Sequence, residues 1–261
     1  MPNPSSGSKI DLPPSVERRA YSSIAPYYDE LMVDVEYERW VDYVVRLLER
    51  VGIHPKGVLD LACGTGTTTL LLAQKGFQPI GVDNALGMLE IAREKVRETG
   101  KEIPFIEQDM RTLHVDEPVE LVTCFFDSIN YMLEEDDLLA TFQAVFDALR
   151  DGGVFLFDVN TEQALSTLEP VYVREEGRVT SIWRNSYHRK DMTVTLNLTV
   201  FVKEGDIYRR CTEAHQERAW SEKALRHALN KAGFRRTTFY KHLTFAPPDK
   251  EANRMMVVAE K

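Results

Sequence analysis

Apolar residues follow two different rhythms along the chain. From Ser15 to about residue 160, short apolar runs alternate with stretches whose apolar positions recur every three or four residues. Trp40, Val44, Leu47, Leu48 and Val51 form such a helical stripe, and the pattern reaches back to Ser15 with a break at Pro26. Residues 58–62 read as a first strand, followed by a glycine turn and a helix over 67–75 that Gly76 closes. Residues 79–82 give a second strand ending at Asp83. Ala85, Met88, Leu89, Ala92 and Val96 then mark a helix stopped by Gly100. A short third strand covers 103–106, and a nearly continuous apolar fourth covers 120–126. Leu138, Phe142, Val145, Phe146 and Leu149 predict a helix capped by Gly152 and Gly153, and 154–157 a fifth strand ending at Asp158. Apolar strands between amphipathic helices predict a mostly parallel sheet covered on both faces, a doubly wound α/β core.

Between about 161 and 219 the period falls to two. Val194, Leu196, Leu198, Val200 and Val202 share one face, and Thr193, Thr195, Asn197 and Thr199 the other. Residues 203–206 read as a turn and 207–218 alternate again, which predicts an antiparallel meander of three or four strands. The first rhythm then returns. Ser221 is placed to cap a helix with Leu225, Ala228, Leu229 and Ala232 on one side, and two strands follow over 234–243 and 254–259. The expected organisation is a Pro- and Ser-rich leader over 1–14, a core formed by 15–160 and 220–261, and a β insert over 161–219 lying as a lid on a substrate.

With 261 residues the chain is long enough for one large domain with an insert, and its 32 Lys+Arg against 41 Asp+Glu give a net charge of −9. That acidic balance argues against a general nucleic-acid binder. No apolar run approaches the ~18 residues of a membrane span, and the first residues lack the apolar core of a secretory signal. Cys63, Cys124 and Cys211 are an odd, widely spaced set with no zinc pattern. No metal site and no membrane partner are expected, and a cytoplasmic location is.

Gly64 and Gly66 allow a tight turn after the first strand, and the following helix offers free N–H groups. Asp83 ends the second strand, where an acid accepts both hydroxyl hydrogens of a ribose. Together they point to an adenosine-containing cofactor. The third glycine of a dinucleotide fingerprint is replaced by Thr69, and Asp60 would repel a pyrophosphate. A carboxylate there suits a cofactor with a positive centre or an ammonium group, and S-adenosylmethionine has both.

The run from Asp60 through Leu61, Ala62, Cys63, Gly64 and Thr65 to Gly66 resembles the first motif of class I S-adenosylmethionine-dependent methyltransferases. Asp83, the segment Gln108-Asp109-Met110 and residues 149–157 resemble their later motifs. Asn84-Ala85 departs from the pattern, in which many relatives have Ser soon after the acid. The resemblance implies a Rossmann-like methyltransferase fold with a seven-stranded sheet. It implies cofactor contacts from Tyr28, Asp60, Ala62, Gly64, Gly66, Asp83, Asn84, Met88, Asp109, Met110 and Phe126, with the adenine read by Asp109 and the Met110 amide. The N-terminal Tyr27-Tyr28-Asp29 and the inserted meander resemble small-molecule methyltransferases with a β-sheet lid, among them N-methyltransferases. Methyl transfer from S-adenosylmethionine to nitrogen or oxygen of a small molecule is the expected function, with S-adenosylhomocysteine as product. His215 and Tyr131 are the candidate general bases. An NAD(P)-dependent oxidoreductase or epimerase and a non-catalytic cofactor-binding scaffold are the alternatives, and the oligomeric state is left open between monomer and homodimer.

Overall fold

The computed structural model describes residues 21–261. The leader 1–14 and the start of the helical stretch from Ser15 lie outside them. The segment that follows is not one long helix. Pro26 lies in a 3-10 turn, Ala25–Tyr27, and a single helical turn follows, α1 (Tyr28–Leu31). Next comes α2 (Tyr37–Val51), which ends where Gly52 takes φ +75° and donates its N–H to the Leu48 and Glu49 carbonyls.

The core alternates as expected: β1 (Gly57–Leu61), α3 (Thr67–Gln74), β2 (Gln78–Asp83), α4 (Leu86–Thr99), β3 (Phe105–Glu107), β4 (Val119–Cys124), α5 (Glu135–Ala148) and β5 (Leu149–Asn160). A short α6 (Glu162–Ser166) leads to β6 (Val171–Glu176), β7 (Val179–His188), β8 (Thr193–Glu204) and β9 (Ile207–Arg218). The chain closes with α7 (Glu222–Ala232), β10 (Arg236–Lys241) and β11 (Arg254–Glu260). Seven strands form one sheet in the order β10-β11-β5-β4-β1-β2-β3. Strands β1 to β5 run parallel, and β11 enters antiparallel between β5 and β10. This is the doubly wound sheet that the apolar runs predict.

Successive strand residues point to opposite faces. Val58, Leu121, Val154 and Leu156 therefore pack against Val44, Leu47 and Leu48 of α2 and Leu72 of α3. Leu59, Val122, Phe155 and Phe157 pack against Phe142 and Val145 of α5 and Leu225 and Leu229 of α7.

One boundary departs from the expectation. The helix α5 ends at Ala148 and Gly152 does not cap it, because Leu149 is already extended and pairs with Val119. Gly152, at φ +76°, instead supplies the irregularity where the β4–β5 register shifts between Val119 and Leu121.

The insert is a four-stranded antiparallel sheet in the order β6-β7-β8-β9. The row Val194, Leu196, Leu198, Val200 and Val202 is buried on one face. Ile24 and Leu31 of the N-terminal segment cover one end of that row, and Leu165 of α6 covers the other. The insert and the N-terminal segment thus share a core of their own beside the main sheet.

Candidate active site

Strand order reverses between β1 and β2 on one side and β4 and β5 on the other, and a crevice opens at the carboxyl ends of strands around such a point. A cavity of about 300 Å³ lies there. Its lining comes from the turns after β1, β2, β3 and β4, closed over by Tyr21, Tyr28 and Tyr37.

Gly64 lines it, at φ +54°, and a Cβ built there would meet nothing within 4 Å, so the backbone is bare towards the space. Asp83 fixes this loop. One carboxylate oxygen accepts the Gly64 N–H at 2.8 Å and the other accepts the Ala85 N–H, also at 2.8 Å. The second bond serves the start of α4, whose N-cap Ala85 has no side chain to offer, so the departure at Asn84-Ala85 is met by Asp83 itself. Burial pushes the Asp83 carboxyl up, and the amide bonds pull it back. Asp60 lies deeper, 2% exposed, and accepts hydroxyl bonds from Thr69 at 2.6 Å and Thr123 at 2.9 Å. Burial pushes its carboxyl up to about 6.

Of the residues expected to touch a cofactor, Tyr28, Asp60, Ala62, Gly64, Asp83, Asn84, Met88, Asp109, Met110 and Phe126 all line this one cavity. Gly66 does not. At φ +74° it heads α3, and a Cβ there would come within 2.9 Å of the Ala92 side chain and 3.1 Å of Phe105, so its smallness serves packing of α3 against α4. Asp109 is engaged by Arg111, whose guanidinium donates to both its oxygens and also reaches Asp137 at 3.2 Å.

The two candidate bases are placed differently. Tyr131 lines the cavity, and its hydroxyl bonds that of Tyr21 at 2.5 Å. His215 stands one layer back, outside the lining, 4.7 Å from the Tyr21 ring and 6.0 Å from the Tyr131 ring. It shares the face of the buried apolar row, because it pairs with Leu196 in register. Burial raises the Tyr131 hydroxyl well above the usual phenol range and lowers His215. A phenol that keeps its proton is a weak base, so of the two the imidazole is the better suited to accept a proton.

Other features of the site were not expected from the sequence. Tyr37 lines the cavity from the start of α2. Phe126 and Asp127 both take left-handed backbone angles, φ +59° and +55°, directly after β4. Arg254, from the last strand, holds that turn: its guanidinium bonds Asp127 at 2.7 Å and also bonds Asp158. The Asp127 N–H in turn donates to Asp158 at 3.0 Å. A pairing between residues 127 apart is decided by the sheet order alone. Among the described residues no group of three or more His, Cys, Asp or Glu is placed to hold a metal ion, and no helix is long and apolar enough to cross a membrane.

Comparison with known proteins identifies the family. Residues 58–153 match the family described as "Methyltransferase domain". The "Putative methyltransferase YqeM" of Bacillus subtilis (strain 168) is 30% identical over 244 residues, covering 92% of this chain and 97% of that protein. The chain belongs to the S-adenosylmethionine-dependent methyltransferases. A methyltransferase of this kind from Clostridium acetobutylicum ATCC 824 superposes with a TM-score of 0.81 at 30% identity, over 92% of this chain and 98% of the other. The S-adenosylmethionine-bound amino pentose methyltransferase CalS10 from Micromonospora echinaspora shares the fold, with a TM-score of 0.71 at 16% identity over 90% and 94% of the two chains. The methyltransferase assignment decides against the oxidoreductase reading. The antiparallel insert after the fifth strand belongs to the fold that these structures share.

Proposed function

We propose that the cavity at the carboxyl ends of β1 to β4 is the S-adenosylmethionine site, and that the enzyme methylates nitrogen or oxygen of a small molecule admitted beneath the N-terminal segment and the insert. Asp83 carries the reading. Its carboxylate faces the cavity with both oxygens already aligned by backbone amides, so their remaining lone pairs are directed and ready for two ribose hydroxyls. Asp109 and the Met110 amide would hold the adenine, and the bare backbone at Gly64 the amino-acid end. Asp60 is an acid that a nearby positive group would keep ionised.

Bound S-adenosylmethionine supplies an electrophilic methyl on a positively charged sulfur. The protein's own part is alignment and exclusion of water. Tyr21, Tyr28 and Tyr37 form the cover over the cavity, and Phe126 is held in the wall by Trp40, 4.5 Å away. His215 is the group suited to take a proton from an acceptor that arrives protonated, once that acceptor reaches past Tyr21. A cytoplasmic setting fits these small-molecule features.

Calorimetric titration with S-adenosylmethionine, S-adenosylhomocysteine and NADH tests the placement. Wild type is expected to bind the first two and not the third. Asp83→Ala is expected to weaken both by roughly 100- to 10,000-fold, the worth of two charge-assisted hydrogen bonds. Unchanged affinity in the variant would put the cofactor elsewhere.

A further inference from the structure

Three polar groups line up on or beside the inner face of β9, and one short piece of chain covers all of them. The Glu213 side chain is 6% exposed. Its carboxylate accepts the Tyr21 N–H at 2.6 Å, the Ser23 N–H at 2.7 Å and the Ser23 hydroxyl at 2.8 Å. His215, two residues on, is 4% exposed, and neither ring nitrogen has a hydrogen-bond partner. Its Nε2 lies 3.6 Å from Glu213, too far for a hydrogen bond. The Tyr21 ring lies tilted over this imidazole, 4.7 Å away, while its hydroxyl occupies that of Tyr131.

A buried imidazole with both nitrogens unpaired bears a desolvation cost that no bond offsets, and buried polar groups are rarely left so. Folding gains nothing from it; a ligand would. The covering segment also shows what kind of ligand fits, since it presents two N–H donors and one O–H donor to a single carboxylate.

We propose that Glu213, His215 and Tyr131 form an acceptor subsite masked by residues 21–23. Its ligand is a compact, donor-rich small molecule, an amine bearing hydroxyl groups, whose N–H and O–H groups take the place of those of Tyr21 and Ser23 on Glu213. The subsite adjoins the cavity through Tyr21 and Tyr131, and the proposal rests on the cofactor placement above.

The test uses the full chain loaded with S-adenosylhomocysteine, titrated calorimetrically in phosphate buffer. The probe is tris(hydroxymethyl)aminomethane, with pivalate as an apolar anion of the same branching. The amine is expected to bind saturably and pivalate not, and saturation is expected to speed amide exchange at Tyr21 and Ser23 about fivefold or more. Glu213→Gln is expected to weaken the amine about tenfold, and Tyr21→Ala, which uncovers the His215 ring and the Tyr131 hydroxyl, to tighten it about threefold. The opposite signs are decisive, because a Glu213 that merely fastened the segment would make Glu213→Gln behave like Tyr21→Ala. Glu213→Asp should recover part of the affinity, which separates a lost contact from a lost fold. Changes of the same sign, equal binding of pivalate, or no binding of the amine overturn the proposal. Failure of wild type to take up S-adenosylhomocysteine would instead strike at the cofactor placement.

Discussion

Asp127 and Asp158 share the guanidinium of Arg254, and Glu217 stands near enough to feel the charge of all three. Asp158 is fully buried and Glu217 is 4% exposed, with Asn160 donating to Glu217 at 3.2 Å. Burial, and next the neighbouring Asp127, push the Glu217 carboxyl up to about 8 from its ordinary 4.5. Between those two values the folded chain holds a proton that the unfolded chain has lost. Raising the pH through that window therefore removes stability, and the loss is complete above the folded value. Glu217→Gln carries no such proton and is expected to lose less stability across the same window. Urea midpoints measured for both proteins over that range check this, and parallel pH profiles would show that Glu217 is not the group responsible. Neither the burial nor the neighbours of Glu217 are visible in the sequence, where it is one more polar residue of an alternating strand.

At the scale of elements, the turn after β4 is under tension, with Phe126 and Asp127 both at positive φ. Two consecutive non-glycine residues in left-handed backbone conformation cost about 1–3 kcal/mol each, and they persist only where surrounding structure holds them. Here Arg254 of β11 and Asp158 of β5 hold Asp127, while Tyr37, Trp40 and Phe125 surround the Phe126 ring. Arg254→Met leaves two carboxylates without their cation, and a loss of about 3 kcal/mol is expected. Adding Asp158→Asn should return part of it. Urea unfolding of the single and double variants measures both. A change in Trp40 emission should accompany the single variant, since the guanidinium lies 5.6 Å from that ring. Additive costs in the double variant would show that the two groups act independently.

In the whole molecule, residues 21–31 tie the insert to the glycine loop. On the insert side Glu213 holds Tyr21 and Ser23, Arg178 pairs with Glu30 at 2.7 Å, and Arg174 donates to the Leu31 carbonyl. On the core side Asp29 accepts the Thr65 hydroxyl at 2.7 Å and pairs with Lys95 at 2.5 Å, and Lys95 also donates to Thr67 at 2.8 Å. The core-side clasp is partly open to solvent, with Asp29 41% and Lys95 25% exposed, so salt should loosen it. S-adenosylhomocysteine has no net charge, so salt acts on its release chiefly through the clasp. Release is expected to quicken as ionic strength rises, and in Lys95→Ala to be several-fold faster and indifferent to salt. Stopped-flow displacement measures both rates; equal rates in the two proteins would mean that the cofactor leaves without this clasp opening.

What the sequence determined by itself is local. The order of strands and helices, the parallel core, the meander and the glycine turn with Asp83 follow from periodicity, because side-chain direction repeats every two residues in a strand and every 3.6 in a helix. The break at Pro26 was legible, yet the irregular segment around it was not, since it draws its stability from Glu213 and the apolar face of β8 rather than from its own turns. Gly152 reads as a helix cap for the same reason: local pattern cannot tell a stop from a bulge. Tertiary structure alone decided that Arg254 meets Asp127, that His215 stands behind Tyr21 instead of in the cavity lining, and that Gly66 lies against Ala92 and Phe105. Those pairings depend on which strands become neighbours, and contacts so distant along the chain leave no spacing for the sequence to show.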